Sequence, residues 1–283
     1  MRRIKIELNW VSALFLFLSL SFLVAPQAFA GDLSGFVGEP GTLRISGGTA
    51  HIPVMKESAG LIMRKVPDIR VSIAGGGSGV GIKQVGEGLV DIGNSGRKPT
   101  LIEVEKYGLI IHRWALDGVG VIVNRDNPVA ALSSSRLQDI FSGRIDNWSK
   151  LGWKDKKITI ITRDQASGTR KVFWKKALEK GTISSRALVV PSNGAMKSAV
   201  LNNPYAIGYA SVGFLDDSVA AVALDGVAPT LKNVRSGAYP VVRGIYSNTR
   251  GTAHGLAAEF INFLYSKTGQ EIILRKGLIP VAR

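Results

Sequence analysis

The 283-residue sequence contains no cysteine. That excludes disulfides, thiolate metal sites and cysteine nucleophiles together, and also a lipid-anchored amino terminus, which needs a cysteine at the cleavage point. Histidine is nearly as scarce: His51, His112 and His254 are the three. They are too far apart for metal-ligand spacing and read as surface or structural residues. No second long apolar run follows the first thirty residues, so nothing later reads as a membrane span. Nor is there a block of five or more cations. Lysines such as Lys154, Lys156, Lys157, Lys175 and Lys176 are scattered, which points to solvated faces rather than a nucleic-acid surface. The familiar nucleotide and hydrolase signatures are missing too. There is no Gly-x-x-x-x-Gly-Lys-Ser/Thr loop, Gly75 to Gly81 does not match the dinucleotide pattern, and neither Ser78 nor Ser167 sits in Gly-x-Ser-x-Gly.

What is present begins with the compartment. Arg2, Arg3 and Lys5 precede an apolar run from Val11 to Val24, and Ala28-Phe29-Ala30 offers small residues where a signal peptidase reads. The run is about fourteen residues against the roughly twenty that span a bilayer. Residues 1–30 are therefore expected to be a cleaved signal peptide, placing the mature chain in the periplasm without a lipid anchor. Three cations and one carboxylate, Glu7, leave with that segment, which brings the formal net charge from +15 to about +13. Such a field concentrates anions near the protein.

The remaining chain alternates short apolar runs with helical spacing, the pattern of an α/β protein. Thr42 to Ser46, Ile69 to Ala74, Val119 to Asn124 and Ile158 to Thr162 read as strands. Helical spacing runs from Ile52 through Met55, Ala59, Ile62 and Met63 to Pro67, from about Gly79 to Gly86, and over Ala257–Tyr265 and Gly269–Leu274. No internal repeat and no long linker divides the chain. Two lobes would therefore be crossed more than once, with Asp117–Asn124 and Tyr239–Tyr246 as the candidate crossings.

Three turns carry the chemistry: Gly47-Gly48-Thr49-Ala50, Gly77-Ser78-Gly79 and Ser167-Gly168-Thr169. Each lies where a helix begins, and a helix amino terminus offers unpaired N–H groups and a partial positive charge to an anion. One such turn is ordinary capping; three converging on one cleft would surround a tetrahedral oxyanion. Arg163 stands at a strand end four residues before Ser167, and its planar guanidinium can hold two oxygens at once.

On these residues the sequence resembles the phosphate-binding component of bacterial phosphate ABC transporters, in the shorter branch of that family. The likeness runs from Ile45-Ser46-Gly47-Gly48-Thr49 through Asp91-Ile92-Gly93-Asn94-Ser95, Asp117–Asn124, Asp139–Trp148 and Ser167-Gly168-Thr169-Arg170. It continues to Asn193–Lys197, Ala206–Tyr209 and Gly269-Gln270. The resemblance implies the type II periplasmic-binding-protein fold, two α/β lobes joined by hinge strands, with residues 31–117 and 243–283 forming lobe I and 118–242 lobe II. It implies capture of inorganic phosphate, without enzymatic activity, cofactor or metal, by a monomer that serves the membrane permease of an ABC transporter. Ligand contacts carry over to Arg163, Ser167, Gly168 and Thr169, and further to Thr49, Ala50 and Ser78. Two departures stand out. Ala50-His51 replaces an extra hydroxyl in the first turn, and Ser95 is followed by Gly96 and Arg97 where the longer branch has an aspartate. Asp117 is the expected replacement acceptor for the phosphate proton, held by Arg97. The alternatives are another tetrahedral oxyanion such as sulfate or molybdate, a secreted phosphatase-like enzyme, or an extracellular scaffold.

The signal-peptide reading predicts that the exported protein begins at about Gly31. Intact-mass measurement of the periplasmic fraction checks it, and a mass that retains residues 1–30 overturns it.

Overall fold

The computed structural model describes residues 31–283, and the expected signal peptide lies outside the described residues. The first lobe opens with β1 (Gly41–Gly47), α1 (Ile52–Lys65), β2 (Ile69–Gly76), α2 (Ser78–Gly86), β3 (Ile92–Ser95) and α3 (Leu101–Tyr107). A sixteen-residue strand, β4 (Leu109–Asn124), then leads into β5 (Ala131–Leu132), α4 (Ser134–Ser142), β6 (Thr159–Arg163) and α5 (Gly168–Lys176). Next come β7 (Leu188–Val190), α6 (Asn193–Leu201), β8 (Ala206–Ser211), β9 (Val219–Leu224) and α7 (Leu231–Ser236). The chain returns through β10 (Val242–Arg250) to α8 (Gly255–Tyr265), α9 (Lys267–Arg275) and β11 (Ile279–Pro280). Among the described residues, no helix is long and apolar enough to cross a membrane.

The strands follow the order β2-β1-β3-β10-β4-β8-β6-β7. Parallel pairing joins β1 to β2 and β3 on one side, and β6 to β7 and β8 on the other. Parallel strands need helical crossovers, and α1, α2 and α5 supply them directly after β1, β2 and β6. The two long antiparallel strands β4 and β10 lie between these parallel sets and continue from one to the other. Two hydrophobic clusters separate along them. One draws on Leu33 to Ala115 and Ile245 to Leu278, with Leu43, Met55, Trp114 and Phe263 inside it. The other draws on Val119 to Val241 and adds Ile279, with Phe141, Trp148, Phe173 and Tyr209 inside. The clusters are divided at Leu116–Gly118, near the middle of β4, the segment where Asp117 sits.

The sequence reading of β4 found only its second half. Residues 118–124 are all buried, so they read as one apolar run, whereas residues 109–117 place Ile110 and Arg113 at the surface between buried positions. The first half therefore shows no simple period, although its pairing with β10 is continuous.

Packing also explains one helix glycine. At Gly81 in α2, a Cβ would lie 2.5 Å from the Asn94 carbonyl oxygen and 2.8 Å from Gly47 Cα, both backbone atoms. This approach lays α2 directly on the ends of β1 and β3. Gly81→Ala is expected to destabilise the protein by about 1–3 kcal/mol, the usual range for forcing volume into a filled core. Denaturant unfolding checks this; unchanged stability would show that α2 has room to shift.

Candidate anion-binding site

The three turns meet. β1, β2 and β6 all end at one cleft, and α1, α2 and α5 start there. Gly48, Thr49, Ala50, Gly77, Ser78, Ser167, Gly168 and Thr169 line one small cavity, together with His51, Gly96, Arg163 and Arg243. This is the crevice outside the carboxyl ends of the strands, where open α/β sheets bind their ligands. A larger groove of about 910 Å³ runs past Pro40, Val90, Arg250 and Leu256. It lacks any such convergence of helix starts, and the chemistry singles out the smaller cavity. Neither α1 nor α2 has a side-chain cap on its first turn; in α2 the Gly79 N–H is taken by the Ala166 carbonyl at 3.0 Å.

The hydroxyl groups are oriented by what they accept. Thr49 Oγ1 accepts from the Asn193 backbone N–H at 3.2 Å and from Asn193 Nδ2 at 3.0 Å. Ser78 Oγ accepts from Gly96 N–H at 2.9 Å, and Ser167 Oγ from Arg170 N–H at 3.1 Å. Thr169 Oγ1 accepts from Arg243 Nη1 at 2.9 Å. A hydroxyl has a single proton, and among the described residues no protein group accepts it from any of these four. Four buried hydroxyls are thus left as donors. Gly168 permits the close approach of the two halves, because a Cβ there would sit 2.1 Å from Ser78 Oγ.

Arg163 is only 2% exposed. Its position is set from the core: the Tyr209 hydroxyl accepts the Arg163 backbone N–H at 3.2 Å and is itself bonded to Thr162 Oγ1 at 2.9 Å. The Tyr209 ring stacks on Phe173 at 4.0 Å. Arg163 Nε and Nη2 donate to the carbonyls of Val190 and Pro191 at 3.0 and 2.9 Å, while Nη1 is buried with no partner. The nearest carboxylate, on the half-exposed Asp164, is 4.0 Å away. Burial lowers the guanidinium pKa from its ordinary value, yet an arginine keeps its charge. The cavity therefore contains a desolvated cation with a free N–H.

Two expected residues are elsewhere. Arg97 does not hold Asp117; it donates to Glu103 at 2.6 and 2.7 Å and is absent from the cavity wall. Glu103 also closes the capping box of α3 with Thr100, and the hydrogen bonds from Arg97 help bring its carboxyl down to about 2. Asp117 is fully buried but sits behind the cavity, not on its wall. Its Oδ2 accepts from Arg243 Nε and Nη2 at 2.8 and 2.7 Å, and its Oδ1 accepts from the Ser211 hydroxyl at 2.8 Å. Register explains the pairing, since Arg243 of β10 lies directly across from Asp117 of β4. Burial pushes the Asp117 carboxyl up, against the pull of Arg243 and Ser211.

Sequence reasoning missed Arg243 and His51. Arg243 interrupts Val241-Val242 and Gly244-Ile245, and a cation inside a buried strand calls for a partner; that was the available signal. His51 is completely buried. Burial, followed by the charge of Arg243, lowers its pKa to about 3, so the ring is neutral at physiological pH. Its Nε2 lies 3.1 Å from the Tyr246 carbonyl, which can only accept, so Nε2 carries the proton and Nδ1 the lone pair. No group lies within hydrogen-bonding geometry of Nδ1, although the Gly48 and Ser95 backbone carbonyls also lie close to the ring.

The ion pair should be costly to break on one side. Asp117→Leu leaves Arg243 buried and unpaired and is expected to destabilise the protein by about 3–5 kcal/mol, whereas the double variant Asp117→Leu/Arg243→Met should recover much of the loss. Denaturant unfolding of both variants checks this; an equal loss in both would show that the charges are not coupled.

A family model for the PBP superfamily domain matches residues 37–268. The chain is 37% identical to the phosphate-binding protein PstS of Bacillus subtilis, over 99% of this chain and 95% of that protein. A substrate-binding protein from Clostridium perfringens, solved with bound phosphate, is 34% identical with a TM-score of 0.80, covering 85% of this chain and all of the other. An ABC-type phosphate transport receptor from Vibrio cholerae is 32% identical with a TM-score of 0.68, covering 84% and 99%. With its two α/β halves joined by β4 and β10 and its donor-lined cleft at the strand ends, the chain belongs to the periplasmic-binding-protein superfamily, within the family of phosphate-binding components of bacterial phosphate ABC transporters.

Proposed function

We propose that this protein captures inorganic phosphate outside the cytoplasmic membrane and delivers it, as a monomer, to the membrane permease of an ABC importer. The observation that carries the reading is Arg163: buried, lacking a close carboxylate, with Nη1 unsatisfied inside a cavity walled by donors. A buried cation whose carboxylate neighbour stands 4.0 Å off is costly, and an oxyanion removes that cost while taking the protons of Thr49, Ser78, Ser167 and Thr169. Backbone N–H groups at the starts of α1, α2 and α5 complete the shell. The names of the relatives, phosphate-binding and phosphate-transport proteins, support the same ligand.

The lobe division fits this role, with 31–117 and 243–283 moving as one body and 118–242 as the other. In the described conformation the two are bridged by Asn193 on Thr49, by the Gly79 N–H on the Ala166 carbonyl at 3.0 Å, and by Arg243 on Thr169. Closure of this kind removes the bound anion from water and strengthens each contact. Binding without turnover is the expected outcome. A nucleophilic hydroxyl needs a base that takes its proton, whereas the hydroxyl contacts to protein here all run the other way.

Arg163→Ala is expected to weaken phosphate binding by about 2–5 kcal/mol, the range for a charge-assisted contact whose loss leaves the anion unpaired, while the fold persists. Calorimetric titration alongside circular dichroism checks it; near-normal affinity with an unchanged spectrum would remove Arg163 from the site.

A further inference from the structure

A cavity of donors alone cannot tell hydrogen phosphate from sulfate. Both are tetrahedral dianions of similar shape, but hydrogen phosphate carries one O–H. Sealed in a dry site, that proton must meet an acceptor or remain unsatisfied. Among the described residues lining the cavity there is no carboxylate. Both contacts made by Asp117 face inward to Arg243 and Ser211. Thr49 Oγ1 already accepts two hydrogen bonds, and Ser78, Ser167 and Thr169 each accept one. The Gly96 carbonyl receives Arg243 at 3.3 Å.

Among the side-chain acceptors on the wall, one has no hydrogen bond at all, whereas Ser78, Ser167 and Thr169 each keep only a second lone pair. His51 lines the cavity, is completely buried, and donates through Nε2 to the Tyr246 carbonyl, so its Nδ1 lone pair is free. The edge of the ring that carries Nδ1 lies against Gly48, another residue of the wall: a Cβ at Gly48 would come within 2.6 Å of both Nδ1 and Cε1. The ring has little freedom to turn. It is held by Tyr246 on one side and packs edge-on to Trp114, with centroids 5.6 Å apart. Trp114 in turn donates to Ser247 Oγ at 3.0 Å.

Building on the oxyanion reading of this cavity, we propose that His51 Nδ1 is the group that accepts the hydrogen phosphate proton and thereby selects phosphate over sulfate. The same lone pair faces an oxygen lone pair when sulfate enters, and specificity arises from that repulsion as much as from the attraction. The bond involves no transfer of the proton; the imidazole stays neutral and accepts.

The test titrates the full mature protein with inorganic phosphate and with sulfate, for the wild type, His51→Gln and His51→Asn. Glutamine can place an amide donor near the Tyr246 carbonyl but has nothing at the Nδ1 position, whereas asparagine places an acceptor there and gives up the Tyr246 bond. The expected result is a wild type that prefers phosphate, a His51→Gln protein whose phosphate-to-sulfate preference falls at least about tenfold, and a His51→Asn protein that retains more of it. A merely structural role for His51 would weaken both anions alike and leave the ratio unmoved, which overturns the proposal. A wild type that binds both anions equally overturns it too. A wild type that binds neither overturns the oxyanion reading itself, so the two failures are distinct. If the variants do not fold, nitrogen-15 NMR of the phosphate-bound wild type decides: a bare, hydrogen-bonded Nδ1 with protonated Nε2 supports the proposal, and a protonated Nδ1 overturns it.

Discussion

The Asp117–Arg243 ion pair is the contact on which the rest of the cleft depends. It joins the two strands that run between the hydrophobic clusters, at the level where one cluster gives way to the other. A buried pair of this kind adds little to net stability, because desolvation offsets most of its attraction. Its consequence is geometric. With Nε and Nη2 held by Asp117, Arg243 has one nitrogen left, and Nη1 reaches Thr169 at the start of α5 and the Gly96 carbonyl after β3. Asp117 also holds the Ser211 hydroxyl, the Ser211 N–H donates to Asn193 Oδ1 at 3.1 Å, and Asn193 donates to Thr49. One buried network therefore sets the hydroxyls of Thr49 and Thr169, which come from opposite sides of the cleft.

That network explains why the cavity is lined by donors. Each hydroxyl accepts from a donor behind it, which leaves its own proton uncommitted. The two arginines are handled differently: Arg243 is neutralised by Asp117, whereas Arg163 is held by two backbone carbonyls and lacks a close counter-charge. A site with one weakly countered cation, hydroxyls that accept from donors behind them and converging helix starts is suited to an oxyanion. The stacked pair of Phe173 and Tyr209 ties this arrangement to the core, since the Tyr209 hydroxyl fixes the backbone of Arg163 itself. Core packing and the placement of Arg163 are thus coupled through a single side chain.

Much of the architecture was legible in the linear pattern because it is local. The strands of Thr42–Ser46 and Ile69–Ala74 and the helix after Ile52 follow from short-range periodicity, and the structure places them within a residue or two at most of their ends. The glycine and hydroxyl turns were readable for the same reason, since a strand end followed by a helix start is a local event. The long strand β4 was only half visible, because its first half mixes exposed and buried positions. Arg97 was read as a partner of Asp117, but it lies six residues from Glu103, whose carboxylate was already committed to capping α3 and offered the nearer site.

The sequence by itself determined the α/β class, the absence of thiol chemistry, the three helix starts and the cation at a strand end, since each depends on neighbours only a few residues apart. Tertiary structure alone decided which charges pair and which remain open. Asp117 and Arg243 are 126 residues apart, and Thr49 and Asn193 are 144 apart; only the register of β4 against β10 and the convergence of the two halves bring them together. The same long-range folding turned Asp117 away from the cavity and brought His51, an ordinary residue in the sequence, to its wall. Hydrogen bonding is the reason, because a buried polar group takes whichever partner the fold brings within about 3 Å, and no spacing rule along the chain contains that distance.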